Sequence, residues 1–140
     1  MTTAPHLHAS CVAVDGRGLL ILGPSGSGKS RLALQLMAFG AALVADDQVL
    51  LNAVEGRLMA AAPPRIAGMI EARGVGLLRA TPVGPIPVVL VVDLSRPEPD
   101  RLPPSRQIEL FGCRIPLVLG RDADHLSYAL LQYLKEGRRA

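Results

Sequence analysis

The sequence predicts a single α/β domain, and three observations carry that reading. Short apolar segments alternate with turn-rich connections and three helix-forming stretches over 140 residues, a length that suits one core. Hydrophobic residues make up 49% and charged residues 19%, too apolar a balance for a disordered chain. Between one predicted strand and one predicted helix stands Gly23-Pro-Ser-Gly-Ser-Gly28-Lys29-Ser30, a full match to G-x-x-x-x-G-K-[ST].

The elements follow in order. Leu7 to Val14 reads as a strand, Asp15-Gly16-Arg17-Gly18 as a turn and Leu19 to Leu22 as a buried return strand, together a hairpin. Lys29 to Phe39 is rich in helix formers, with Leu32, Leu36 and Phe39 spaced for one face and Gly40 as a stop. Ala41 to Ala45 is a short strand ending on Asp46-Asp47. Val49 to Ala53 and Arg57 to Ala61 form a second hairpin around Val54-Glu55-Gly56. After Pro63-Pro64, Ile66 to Ala72 reads as a short helix closed by Gly74, and Val75 to Leu78 as a strand. Val88 to Val92 is apolar enough for a central strand. Ser95 to Ser105, with four prolines, is a surface loop. Ile108 to Phe111 and Ile115 to Leu119 pair around Gly112. Asp122 or Asp124 caps a last helix carrying Leu126, Leu130 and Leu134.

Composition narrows the function classes. The formal charge is +3 and the pI is near 9.3, but thirteen of the fifteen basic residues are arginines scattered from Arg17 to Arg139. Aromatics amount to 3%, so there is no platform on which bases could stack, and nucleic acid is not an expected partner. No apolar run approaches a membrane span, and the first residues lack the basic and apolar parts of a leader. Cys11 and Cys113 stand alone in apolar surroundings and read as buried, reduced thiols. The expected setting is the cytoplasm.

The Gly-rich loop has a definite chemistry. Its glycines let successive backbone N–H groups turn inward onto phosphate oxygens, and the following helix adds its positive end. Gly23, Pro24, Ser25, Gly26, Ser27 and Gly28 would wrap the phosphates. Lys29 would reach the outer ones, and the Ser30 hydroxyl would join the shell of a Mg²⁺ ion. A partner carboxylate is expected at a strand end. Asp93 closes the central strand, whereas Asp46 and Asp47 close the strand after the helix, seventeen and eighteen residues beyond Lys29. Spacing leaves both choices open.

The P-loop, Leu43-Val-Ala-Asp-Asp47, Ala61-Ala-Pro-Pro64 and Glu71-Ala-Arg-Gly-Val-Gly76 occur in that order. Together they resemble the catalytic domain of bacterial HPr kinase/phosphorylase, over about His6 to Arg121. The resemblance implies a P-loop domain with a mixed β-sheet and flanking helices, of the type also found in phosphoenolpyruvate carboxykinase. It implies an ATP- and Mg²⁺-dependent kinase acting on a serine of HPr, a small phosphocarrier of the sugar phosphotransferase system, and thereby on carbon and nitrogen metabolism. Many members also remove that phosphate by phosphorolysis, and the family form is a hexamer. Membranes and nucleic acids have no part in it.

Residue by residue, the resemblance favours Asp46-Asp47 over Asp93. Asp47 would be the acid/base acting on the target hydroxyl, and Asp46 would lie near the metal with Ser30. His8 matches a histidine that tunes this carboxylate, and Glu71 matches a second metal-side carboxylate. Arg73 and Gly74 to Gly76 fall in the family signature. Arg101 matches an arginine near the transferred phosphate. The chain departs from the pattern at Ala9, where a glycine is usual, and in the shorter, proline-rich Leu77 to Pro85. The chain begins within the core, so residues 1–140 are expected to be one catalytic domain without an N-terminal domain, and they end one helix after Arg121. These departures set kinase activity ahead of phosphorolysis as the expectation. The alternative reading is an ATP-sensing module without transfer activity.

Overall fold

The computed structural model describes residues 6–140; the reading of a leader, which draws on residues 1–5, lies outside the described residues. The first strands are β1 (His6–Leu7), β2 (Ser10–Val14) and β3 (Arg17–Leu22), followed by helix α1 (Lys29–Ala38). Next come β4 (Ala42–Ala45), β5 (Val49–Val54), β6 (Arg57–Ala61), β7 (Met69–Ala72) and β8 (Gly76–Arg79). The chain closes with β9 (Ile86–Asp93), β10 (Gln107–Leu110), β11 (Cys113–Leu119) and α2 (Leu126–Glu136). Nine strands make one mixed sheet in the order β1-β5-β6-β9-β3-β2-β4, with β11 joined to β9 and β10 to β11; β7 and β8 form a separate hairpin.

The apolar run of β9 sits at the centre, as its composition requires. It runs parallel to β3, with Leu22 opposite Asp93, and parallel to β11, with Leu119 opposite Asp93. The carboxyl ends of three strands therefore meet at one edge, and the loops that leave them gather there. In open α/β sheets this edge is where ligands bind.

Strand alternation divides the apolar residues between two cores. Val12, Leu19, Ile21, Leu90 and Val92 face α1 and α2, where Leu32, Leu36, Leu130 and Leu134 close the layer. Cys11, Leu20 and Val91 point the other way, into a second core with Val49, Leu51 and Leu58. Full burial of each leucine contributes about 1.5–3 kcal/mol, so both sheet faces are held. Phe39 at the end of α1 packs against Tyr128 of α2 with ring centroids 5.4 Å apart. Arg17 donates to the carbonyls of Leu134 and Lys135 at 2.9 and 3.1 Å, satisfying the C-terminal end of α2 with a cation.

Three expectations are corrected. Residues 66–72 are not a helix: one 3₁₀ turn, Pro64–Ile66, gives way to the strand β7. Gly68, at φ 74°, breaks the turn, and a Cβ there would stand 2.7 Å from the Ala80 carbonyl oxygen. The chain then pairs Met69 with Arg79 and Ala72 with Gly76. As a strand this segment buries Ile70 in the core beneath α1 and turns Glu71 outward. The last helix starts after His125 with no side-chain cap, so neither Asp122 nor Asp124 caps it. The paired reading of residues 7–14 is also shortened, since β1 joins β5 while β2 joins β3 and β4.

Candidate active site

The Gly-rich loop connects β3 to α1 at the sheet edge just described. Gly23 has φ 157°, and a Cβ at that position would lie 2.4 Å from the Ser27 hydroxyl; only glycine lets the loop close so tightly. Lys29 is 7% exposed. Its ammonium donates to the carbonyls of Gly23 and Pro24 at 2.7 and 3.1 Å, and among the described residues no carboxylate pairs with it. A nearly buried cation without a counter-charge is costly. An incoming phosphate would supply that charge.

The two aspartates after β4 point in different directions. Asp46 is 6% exposed. Its Oδ1 accepts from the hydroxyls of Ser10 and Ser30, each at 2.7 Å, and its Oδ2 accepts from the Glu71 backbone N–H at 3.1 Å. Asp47 adopts φ 70°, a conformation aspartate tolerates better than most residues, and its side chain swings into solvent. There its Oδ1 meets His8 Nε2 at 2.9 Å. The backbone supports this corner: Ala9 N–H donates to the Asp47 carbonyl at 3.2 Å and Gln48 N–H to the Asp46 carbonyl at 2.8 Å.

These groups surround a cavity of about 510 Å³ whose lining includes His8, Ser10, Lys29, Ser30, Asp47 and Glu71. Its walls also carry Arg31, Leu34 and Arg73. Nine of the sequence-predicted residues thus converge, counting Asp46 beneath Ser10 and Ser30 and the loop residues Ser25, Gly26 and Gly28. Arg101 does not join them. It is exposed on the 95–105 loop and lines neither this cavity nor the neighbouring one; that loop is clamped by Glu98, which accepts two bonds from Arg106 at 2.8 Å each. Ser10 escaped the sequence reading. The available signal was its place two residues after His8, on the same face of an otherwise apolar segment.

Asp93 serves a different purpose. Its Oδ1 accepts from the Ser95 N–H and hydroxyl at 2.8 and 2.6 Å, which fixes the turn leaving β9. Partial burial pushes its carboxyl up, but the bonds from Ser95 and Arg96 outweigh that and hold it below the usual carboxylate value.

The residues fit a nucleotide phosphate with a hard divalent cation. Because the Ser30 proton is already taken by Asp46, the hydroxyl lone pairs are left free for a cation. Ser27 Oγ is buried without a hydrogen-bond partner, an unsatisfied group in a loop built to receive a ligand. Among the described residues no group of three or more His, Cys, Asp or Glu could hold a metal alone. A bound Mg²⁺ would take one or two oxygens from protein, here Ser30 beside Asp46, and the rest from phosphates and water.

Known proteins place the chain. The model of the HPr Serine kinase C-terminal domain matches residues 1–83. HPr kinase/phosphorylase of Clostridium tetani is 47% identical over 72 residues, covering 51% of this chain and 24% of that protein. The Malacoplasma penetrans HPr kinase/phosphorylase is 31% identical over 127 residues, covering 81% and 42% respectively. The chain therefore spans less than half the length of these curated relatives. The solved structure of the Hpr(Ser) kinase/phosphatase from Coxiella burnetii superposes with a TM-score of 0.81 at 27% identity, covering 94% of each chain. Among the described residues no helix is long and apolar enough to cross a membrane. With its P-loop, its paired aspartates and this fold, the chain belongs to the HPr serine kinase C-terminal domain family.

Proposed function

We propose that the chain is an ATP- and Mg²⁺-dependent kinase that phosphorylates a serine on an HPr-like phosphocarrier protein in the cytoplasm. One observation carries the reading: the P-loop lysine and the exposed His8–Asp47 pair share one cavity. Phosphoryl transfer asks mainly for in-line placement and charge neutralisation. Bound MgATP would bring the transferable phosphoryl group and the cation that shields it.

The chain's own residues supply the rest. Loop N–H groups and the start of α1 hold the phosphates. Lys29 exchanges its two carbonyl partners for phosphate oxygens, so its positive charge gains a counter-charge. Asp46 keeps Ser30 turned with its lone pairs outward, and Glu71 stands at the cavity rim on β7. Asp47 takes the proton of the incoming serine hydroxyl at Oδ2, because Oδ1 is occupied by His8. Its exposure suits a substrate as large as a protein.

The test is phosphate transfer from γ-labelled ATP to an HPr-like protein encoded beside or with this chain, using a serine-to-alanine acceptor as control. Labelling of the wild-type acceptor alone is expected. Tight ATP binding that Lys29→Ala abolishes, with no transfer by the wild-type chain, would leave a nucleotide-binding module and overturn the kinase reading.

A further inference from the structure

Two cavities meet at the P-loop. One holds His8 and Asp47; the other, of about 780 Å³, lies between the loop and the chain leaving β9 and β11. Both are lined by Ser25, Gly26, Gly28 and Arg31. Arg73 lines only the first, Arg121 only the second and Arg101 neither, so Arg31 is the one arginine among the described residues that reaches both.

Arg31 is an exposed residue on the first turn of α1, yet its side chain folds back over the loop. A Cβ built on Gly28 would lie 3.2 Å from Arg31 Nη2 and 3.7 Å from its Nε, and the three atoms nearest that position all belong to the guanidinium. Gly28, at φ 98°, thus turns the chain into α1 and leaves bare space that the guanidinium covers.

Nothing within the protein accounts for this pose. Among the described residues no carboxylate lies within ion-pair distance of Arg31, and the guanidinium hydrogen bonds are made by Arg17, Arg96, Arg106 and Arg138. The position is also electrostatically unfavourable. The first turn of α1 carries Lys29 and Arg31 and no acidic residue, so two cations stand at the positive end of the helix dipole. A polyanion laid over the loop turns that cost into attraction, and the planar fork of an arginine matches phosphate oxygens.

The geometry points to Arg31 as a second phosphate-binding cation, which holds the phosphate chain of the nucleotide from over Gly28 while Lys29 holds it from within the loop. The inference rests on the phosphate-loop reading above and adds a residue outside the motif. Arg31 touches the ligand directly, so its contribution is to binding of any polyphosphate and needs no acceptor protein.

Calorimetry with MgATP and with magnesium tripolyphosphate tests this. Arg31→Gln should bind both ligands about tenfold more weakly than wild type, the loss of a bond to a charged group, and the difference should shrink at high salt. Arg31→Lys, which keeps the charge but not the fork, should fall between the two. Without ligand, Arg31→Gln should melt no lower than wild type, because the lost cation opposes the helix dipole. Arg114, exposed at the start of β11 and lining neither cavity, controls for net charge, and Arg114→Gln should stay within about twofold of wild type. Wild-type affinity in Arg31→Gln, or an equal loss in Arg114→Gln, would overturn the Arg31 assignment and leave the phosphate loop standing. Failure of wild type to bind either ligand, or undiminished binding by Lys29→Ala, would instead remove the phosphate-loop reading and Arg31 with it.

Discussion

His8 Nε2 stands 2.9 Å from Asp47 Oδ1 across the mouth of the cavity, joining β1's end to the corner after β4. Both side chains are more than half exposed, so the bond is not there to hold the fold. It occupies one carboxylate oxygen and fixes the direction of the other. His8→Ala should therefore lower transfer by about 100-fold through lost positioning, with ATP affinity unchanged and stability altered by no more than about 0.5 kcal/mol. Steady-state kinetics with a thermal melt checks both parts.

Asp46 works through Ser30, to which it lies 2.7 Å away. Asp46→Asn replaces an acceptor oxygen with a donor or weakens it, so the hydroxyl no longer presents free lone pairs outward. Mg²⁺-dependent ATP affinity should fall about 10- to 100-fold, as for other groups that orient a metal's ligand. Asp93→Asn should leave it within about twofold, because Asp93 is engaged by Ser95 and Arg96. Binding titrations with and without Mg²⁺ distinguish the two; the opposite pattern would move the metal-side role to β9.

The site was legible in the sequence to the extent that it is local. Lys29, Ser30 and the loop glycines lie in one short motif, and the resemblance favours Asp46-Asp47 over Asp93 on sequence alone. Ser10 was missed because its role depends on β2 lying beside β4, a pairing no local pattern reveals. Residues 66–72 were misread because alanines and Glu71 favour a helix locally. Pairing of Met69 with Arg79 decides otherwise, an example of tertiary contacts overriding propensity. The resemblance puts Arg101 at the site through a loop, and in the structure Arg101 is exposed and lines neither cavity.

The Glu98–Arg106 pair gives an acid-side stability prediction. Its hydrogen bonds from Arg106 hold the Glu98 carboxyl below the usual carboxylate range. A depressed folded value means the contribution is fully present above about pH 4.3, the ordinary glutamate value, and is lost as pH falls through the lower folded one. Glu98→Gln should thus narrow the Tm difference between pH 6 and pH 3 relative to wild type. An identical pH dependence in both proteins would contradict the pairing.

Cys11 is fully buried, and burial pushes its thiol up to about 12. The native chain should react with a thiol reagent at Cys11 only as fast as it opens, and labelling at pH 8 should become rapid only in denaturant. Rapid native labelling, located by mass spectrometry, would show that the second core is not closed as described.

The division of labour between the two aspartates is tested most directly by Asp47→Asn. Asparagine keeps the size of the side chain and an oxygen for His8 but cannot accept the serine proton as a base. ATP affinity within about twofold of wild type, with transfer to the HPr-like acceptor reduced at least about 100-fold, is the expected result. Equal transfer rates in the two proteins would contradict the assignment of Asp47 as the base.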